Sequence, residues 1–132
     1  MSTVPGEHDL ARMLASLDVQ QRPGLFTFVT GDWPGLRQKA QATIQEDEGP
    51  TYVVAVGDAV EVGAPVDFIA VWLTLTVWSS LASVGLTAAI ASALAEADVP
   101  CNVLAGYHHD HLLVPAERAD VALRVLRKLS SR

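Results

Sequence analysis

The chain has 132 residues, half of them hydrophobic and 18% charged, with a net charge of -6. That length suits one domain or two small halves, and that composition excludes an intrinsically disordered chain. Nine basic residues against fifteen acidic ones leave no electrostatic footprint for a phosphate backbone, so nucleic acid is not an expected partner.

Cys101 is the only cysteine, so no intrachain disulfide can form, which fits a reducing compartment. The opening MSTVPGEHDLARML lacks a basic start followed by an apolar run, the pattern of a secretory signal. A cytoplasmic location is expected. Residues 68–95 carry no charge and are long enough to span a bilayer. Residues 71–78, VWLTLTVW, alternate, whereas residues 84–97 follow a helical period; a spanning helix would not change period midway. No membrane association is expected.

In chain order, Leu10, Met13, Leu14 and Leu17 predict a short amphipathic helix over residues 8–17, ended by the breakers Pro23 and Gly24. LFTFVT, residues 25–30, reads as a strand, and GDWPG, residues 31–35, as a turn. LRQKAQ favours helix, and a strand is expected from about Ala42, paired through the EDEGP connection with TYVVAV, residues 51–56. A helical turn over residues 58–63 and a loop around Pro65 close the first half.

In the second half, residues 71–77 predict a buried strand and SSLASVG the loop and N-cap of a helix over about residues 84–97, with Leu86, Ile90, Leu94 and Ala97 on one face. A strand over residues 99–105, the turn GYHHD and an extended run over residues 111–114 form a hairpin. Pro115 opens a last helix, with Glu117 and Asp120 near its start, and Arg124, Arg127 and Lys128 near its end, as the helix dipole favours. The order strand, helix, strand, strand, helix is a ferredoxin-like arrangement lacking its last strand. That place could be filled by a strand of the first half or by a second chain, since open backbone edges need partners.

The run WLTLTVWSSLASVGLTAAIASALAEADVPCNVLAGYHHDHLLVP, residues 72–115, resembles the ACT-domain family, in particular small bacterial proteins of two tandem ACT-like halves related to the aspartokinase regulatory region. The resemblance rests on Gly85 in SVGL at a helix start, on Cys101, Asn102 and Val103 in the following strand, and on HDH followed by an apolar run and proline. EDEG and its flanking strands carry a weaker likeness in the first half. Trp78 and Pro50 depart from the relatives' pattern, and Trp78 borders the loop that would face a ligand. The resemblance implies an α/β (α+β) fold of two tandem ferredoxin-like, βαββαβ-type halves sharing one core, residues 1–66 and residues 67–132. It also implies binding of a small ligand, usually an amino acid, at an interface between paired domains, with occupancy passed to an enzyme.

The best ligand candidate is the loop and helix start of Ser79, Ser80, Leu81, Ser83, Val84, Gly85 and Leu86, where free N–H groups, the helix dipole and serine hydroxyls suit a carboxylate. Equally, the serines could only cap the helix and Gly85 only permit close packing. Asn102, Val103 and Ala105 are candidates for further contacts. His108, His109, Asp110 and His111 have metal-ligand chemistry, but strand alternation sets His108 and Asp110 opposite His109 and His111, so at most two can converge, His109 and His111 being the candidate pair, and residues 46–48 could complete such a site only if the turns meet; turn and interface hydrogen bonds are the competing account. Cys101 lies in an apolar strand and is expected to be packing. His8 and residues 46–48, EDE, are expected in solvent. No phosphate-binding, dinucleotide, HExxH or GxSxG motif occurs.

The expected protein is therefore a non-enzymatic, cofactor-free, cytoplasmic homodimer that binds an amino acid or similar small metabolite and can act on an enzyme partner. The alternatives are a metal-binding or hydrolytic protein centred on HHDH, or a structural partner subunit.

Overall fold

The computed structural model describes residues 7–77 and 85–130. Five helices and six strands are formed among them: α1 (Glu7–Ala15), β1 (Asp18–Thr30), α2 (Leu36–Lys39), β2 (Ala42–Ile44), β3 (Thr51–Ala55), α3 (Val56–Val62), β4 (Ala70–Thr76), α4 (Leu86–Glu96), β5 (Asn102–Ala105), β6 (Asp110–Pro115) and α5 (Ala119–Ser130), the last preceded by a 3-10 turn at Ala116–Arg118. The hydrogen-bonded strand order is β2-β3-β1-β4-β6-β5. No described helix is long and apolar enough to cross a membrane.

The chain divides into two compact units, Met1–Arg22 with Trp72–Arg132, and Pro23–Val71. The first is discontinuous in sequence. From Trp72 onward it supplies strand, helix, strand, strand and helix, and its remaining strand comes from the start of the chain, where Asp18 to Arg22 open β1 beside β4. The place left open by the sequence pattern is thus filled from within the chain. β4 is hydrogen-bonded to β1 as its neighbour in the sheet, a partner that local sequence cannot supply.

Within this unit β4 buries Leu73 and Leu75 on one face, while on the other Trp72 is buried, Thr74 half-buried and Thr76 exposed. This is the pattern of a strand with one face on a core and the other grading out to solvent. α4 buries Leu86, Ile90 and Leu94, α5 buries Ala122 and Leu126, and α1 buries Met13 with Leu17 just beyond its end. These three helices pack on one another. α4 ends in a Schellman motif: Val99 N–H donates to Leu94 O at 2.9 Å and Asp98 N–H to Ala95 O at 3.0 Å, with Asp98 at φ 58°. Val99, tied to Leu94 by that backbone bond, is only 3% exposed, and the strand expected from residue 99 begins instead at Asn102.

In the second unit β3 pairs antiparallel with both β1 and β2, with Thr27 opposite Val54, Val29 opposite Tyr52 and Thr43 opposite Tyr52. Its core is Val29, Leu36, Tyr52, Val54, Ala59 and Ala64, with Trp33, Ala40, Val62 and Val66 packed against them. The expected strand from Ala42 is present, and the ambiguous stretch before it holds only the one-turn helix α2. The expected breakers Pro23 and Gly24 instead lie inside the thirteen-residue β1, with Gly24 at φ 95°. A proline and a left-handed glycine are tolerated in a strand at a bulge or bend. The boundary between the compact units falls at that proline.

Candidate functional site

Residues 78–84 lie outside the described residues, and with them Trp78 and the candidates Ser79, Ser80, Leu81, Ser83 and Val84. Gly85 is the N-cap of α4 at φ 92°, with no side-chain cap bond, and its carbonyl accepts from Ala89 N–H at 2.9 Å. An L-residue is strained at that φ, and Leu10 of α1 approaches to 3.8 Å of where a Cβ would stand. The helix starts at Leu86, two residues later than its periodicity suggests, because the left-handed glycine sets the turn. Leu86 is 3% exposed and belongs to the core. Asn102, Val103 and Ala105 lie together on β5, all exposed. Asn102 Nδ2 donates to Leu113 O at 3.2 Å, which ties this side chain to the neighbouring strand. Val103 and Ala105 point to the face opposite Asn102 by strand alternation.

The second unit repeats the glycine device. Gly35 is the N-cap of α2 at φ 77°, again without a side-chain cap, and the next residue is again a buried leucine, Leu36. The preceding loop is closed by Trp33, whose Nε1–H donates to Thr30 O at 3.1 Å, while Thr30 Oγ1 donates to Pro50 O at 3.0 Å. The turn chemistry of residues 31–35 does not by itself announce this device. The signal was the recurrence of Gly-Leu after a strand, at Gly35–Leu36 and Gly85–Leu86.

The histidine tract divides differently from the expectation. Ala105 pairs with Asp110, so residues 106–109 form the hairpin loop and only Asp110 and His111 lie in the ladder. His108 and His109 are exposed in that loop, where strand alternation does not apply. His109 and His111 rings are 6.3 Å apart. Among the described residues no three His, Cys, Asp or Glu side chains gather to hold a metal ion. Glu46, Asp47 and Glu48 are exposed, and Glu46 Oε1 accepts from Thr51 Oγ1. The side chain of His8 lies outside the described set. Cys101 is half-buried, and burial pushes its thiol above the ordinary value, the opposite of what activates a nucleophile.

His111 sits instead in a cluster that sequence reading missed. Trp72 Nε1–H donates to His111 Nδ1 at 3.1 Å, and Thr74 Oγ1 lies 3.1 Å from the same nitrogen. The Arg22 guanidinium lies 4.0 Å above the Trp72 ring, a cation–π geometry, and Trp72 meets His111 edge to face at 5.4 Å. An indole N–H can only donate, so Nδ1 is the acceptor and the neutral ring is protonated at Nε2; the Thr74 hydroxyl, at 3.1 Å, then shares the single lone pair of Nδ1 with the indole. Burial first, then the charges of Arg22 and His109, hold His111 below its ordinary value, with Asp110 opposing. Tryptophan at the second position of an alternating strand was the available signal, since a buried indole N–H requires an acceptor.

A groove of about 250 Å³ runs between α4 and α5, lined by Ala93, Glu96, Ala97, Val125, Lys128 and Leu129. None of the residues expected to bind ligand borders it. Its lining is helix surface without a convergent set of polar groups.

The ferredoxin-like strand order of the unit containing Gly85, and its repetition around Gly35, define a class of paired α/β domains with glycine-led first helices. An ACT domain family model matches residues 68–128, and a second ACT domain model matches residues 5–71. The chain belongs to the ACT domain family. Among solved structures it is similar to a protein of unknown function from Vibrio cholerae, described as a possible transport protein, at 36% identity and TM-score 0.83 over 92% of this chain and 95% of that one. It shares its fold with the ligand-free regulatory subunit of aspartate kinase from Thermus thermophilus, at 14% identity and TM-score 0.58 over 84% of this chain and 95% of that one. A structure of aspartokinase alpha and beta subunits is similar at 16% identity and TM-score 0.59 over 86% of this chain and 97% of that one. No curated protein matches.

Proposed function

We propose that this chain is a regulatory protein that binds an amino acid or a similar small metabolite and has no catalytic activity of its own. The observation that carries the reading is the pair of ACT domain matches, which together run from residue 5 to residue 128. The shared fold with an aspartate kinase regulatory subunit supports it. In this reading residues 1–66 and residues 67–132 act as tandem halves. The ligand's carboxylate meets the N–H groups at the start of α4, at Gly85 and Leu86, with Ser79, Ser80, Leu81, Ser83 and Val84 proposed as contacts from the residues just before it in sequence, and Asn102, Val103 and Ala105 as further contacts. The protein works as a cytoplasmic homodimer and passes occupancy to an associated enzyme.

The test is thermal unfolding with each of the twenty amino acids, repeated on Gly85→Ala. A ligand at 100 times its Kd stabilises by about 2.7 kcal/mol, so one or a few amino acids should raise the melting temperature of the native protein and have less effect on the variant. No response to any amino acid overturns the amino-acid reading. Light scattering at micromolar concentration reads the dimer.

A further inference from the structure

We propose that His111 is a proton-operated latch, which when neutral ties β4 to the β5–β6 hairpin through Trp72 and Thr74 and which releases Trp72 on taking up a proton in mildly acidic solution. The geometry sets this up. Two donors, the Trp72 indole N–H and the Thr74 hydroxyl, converge on Nδ1 at 3.1 Å each. A hydroxyl can rotate to accept a proton-bearing Nδ1, but an indole N–H cannot. Protonation therefore places two donors face to face across the Trp72 contact.

The Nε2 edge of the ring lies close to the hairpin loop at Gly106. A Cβ on Gly106 would stand 3.2 Å from His111 Nε2, and Gly106 N–H donates to His109 O at 2.9 Å across the loop.

The groups facing His111 come from each element around it. β1 brings the Arg22 guanidinium onto the Trp72 indole, and the hairpin brings His109 and Asp110. β4 contributes the neutral Trp72 and Thr74, and β5 sets Leu104 opposite His111. Burial, Arg22 and His109 disfavour the imidazolium and only Asp110 favours it. The closed state therefore binds the proton less readily than an open one. Its stability is full above the ordinary histidine value of about 6.5, falls as the pH drops through that value, and levels off below the lower value of the closed state.

The experiment follows the histidine ring nitrogens and the Trp72 Nε1–H of the intact chain by NMR between pH 8 and pH 5. At neutral pH His111 should carry its proton on Nε2, and it should titrate below the ordinary histidine value. Exchange of the Trp72 Nε1–H, scaled for its own pH dependence, should quicken about tenfold as His111 charges, the effect of losing one hydrogen bond of ordinary strength. His111→Asn keeps an acceptor near the Nδ1 position without a titrating group, so there the scaled exchange should not vary with pH. An Nδ1-protonated ring at neutral pH, a titration at or above the ordinary value, or Trp72 exchange indifferent to His111 charge overturns the latch. The wild-type measurements decide the matter even where the variant does not fold.

Discussion

The indole Nε1–H of Trp72 donates to Nδ1 of His111 at 3.1 Å, joining β4 to β6 through residues 39 positions apart in sequence. Trp72 is 3% exposed, so this bond forms in surroundings where losing a partner is costly. Trp72→Phe removes the donor and weakens the stack under Arg22 while keeping most of the apolar volume. It should lower stability by about 1–2 kcal/mol. Urea unfolding of both single variants and of the double variant Trp72→Phe, His111→Asn should give a coupling of about 1 kcal/mol; strict additivity would show that the contact contributes nothing.

Thr27 is fully buried, opposite Val54, and its Oγ1 has no hydrogen-bond partner among the described residues. A buried hydroxyl without a partner costs about 1–3 kcal/mol. Thr27→Val replaces it with a methyl of similar size on a strand that already favours β-branched residues. Stability should rise by about 1 kcal/mol, read as a higher urea midpoint with an unchanged slope. A fall in the midpoint would mean that the hydroxyl has a role that this geometry does not account for.

Asp98 is the only described residue other than glycine with positive φ, at 58°, and it occupies the position that closes α4, where glycine is favoured. Asp98→Gly should gain about 0.5 kcal/mol, the relief of backbone strain being partly offset by the freedom of glycine in the unfolded chain. Asp98→Val should lose more than about 1 kcal/mol, because a β-branched residue is a clear outlier there. Thermal unfolding of the two variants on either side of the parent checks the sign of both effects.

Gly106 leaves no room for a side chain: a Cβ would meet His109 O at 2.8 Å. The obstacle is backbone, so relief requires the β5–β6 turn to open. Gly106→Ala should cost about 1–3 kcal/mol and loosen the hairpin locally, with faster amide exchange at Ala105 and Asp110. By contrast, a Cβ added at Gly57 would meet nothing within 4 Å, and the residue has no positive φ. It lies inside α3, where Gly57→Ala should stabilise by about 0.5–1 kcal/mol through helix propensity.

Helices and strands whose side chains repeat with a local period were legible in the sequence. Leu86, Ile90 and Leu94 marked α4, the alternation of residues 71–77 marked β4, and the segment from Ala42 onward marked the β2–β3 hairpin; each is an element whose burial pattern follows from its own periodicity. The left-handed turn at Gly85 was not legible, since the helical period runs from residue 84 and places Gly85 inside the helix, whereas the structure makes it the N-cap at φ 92°. The ACT resemblance came from the same stretch, because short-range spacing survives where overall identity does not.

Only the tertiary structure decided which strand completes the C-terminal fold and what His111 does. Asp18 to Arg22 lie some fifty residues before β4, and nothing in their own composition says that they pair beside it. The bond between Trp72 and His111 likewise depends on the register of strands far apart in the chain. A single residue of slip would turn either side chain to the opposite face of the sheet. Local sequence sets the period of an element, while the partner across a ladder is chosen by the burial and hydrogen bonding of the whole chain at once.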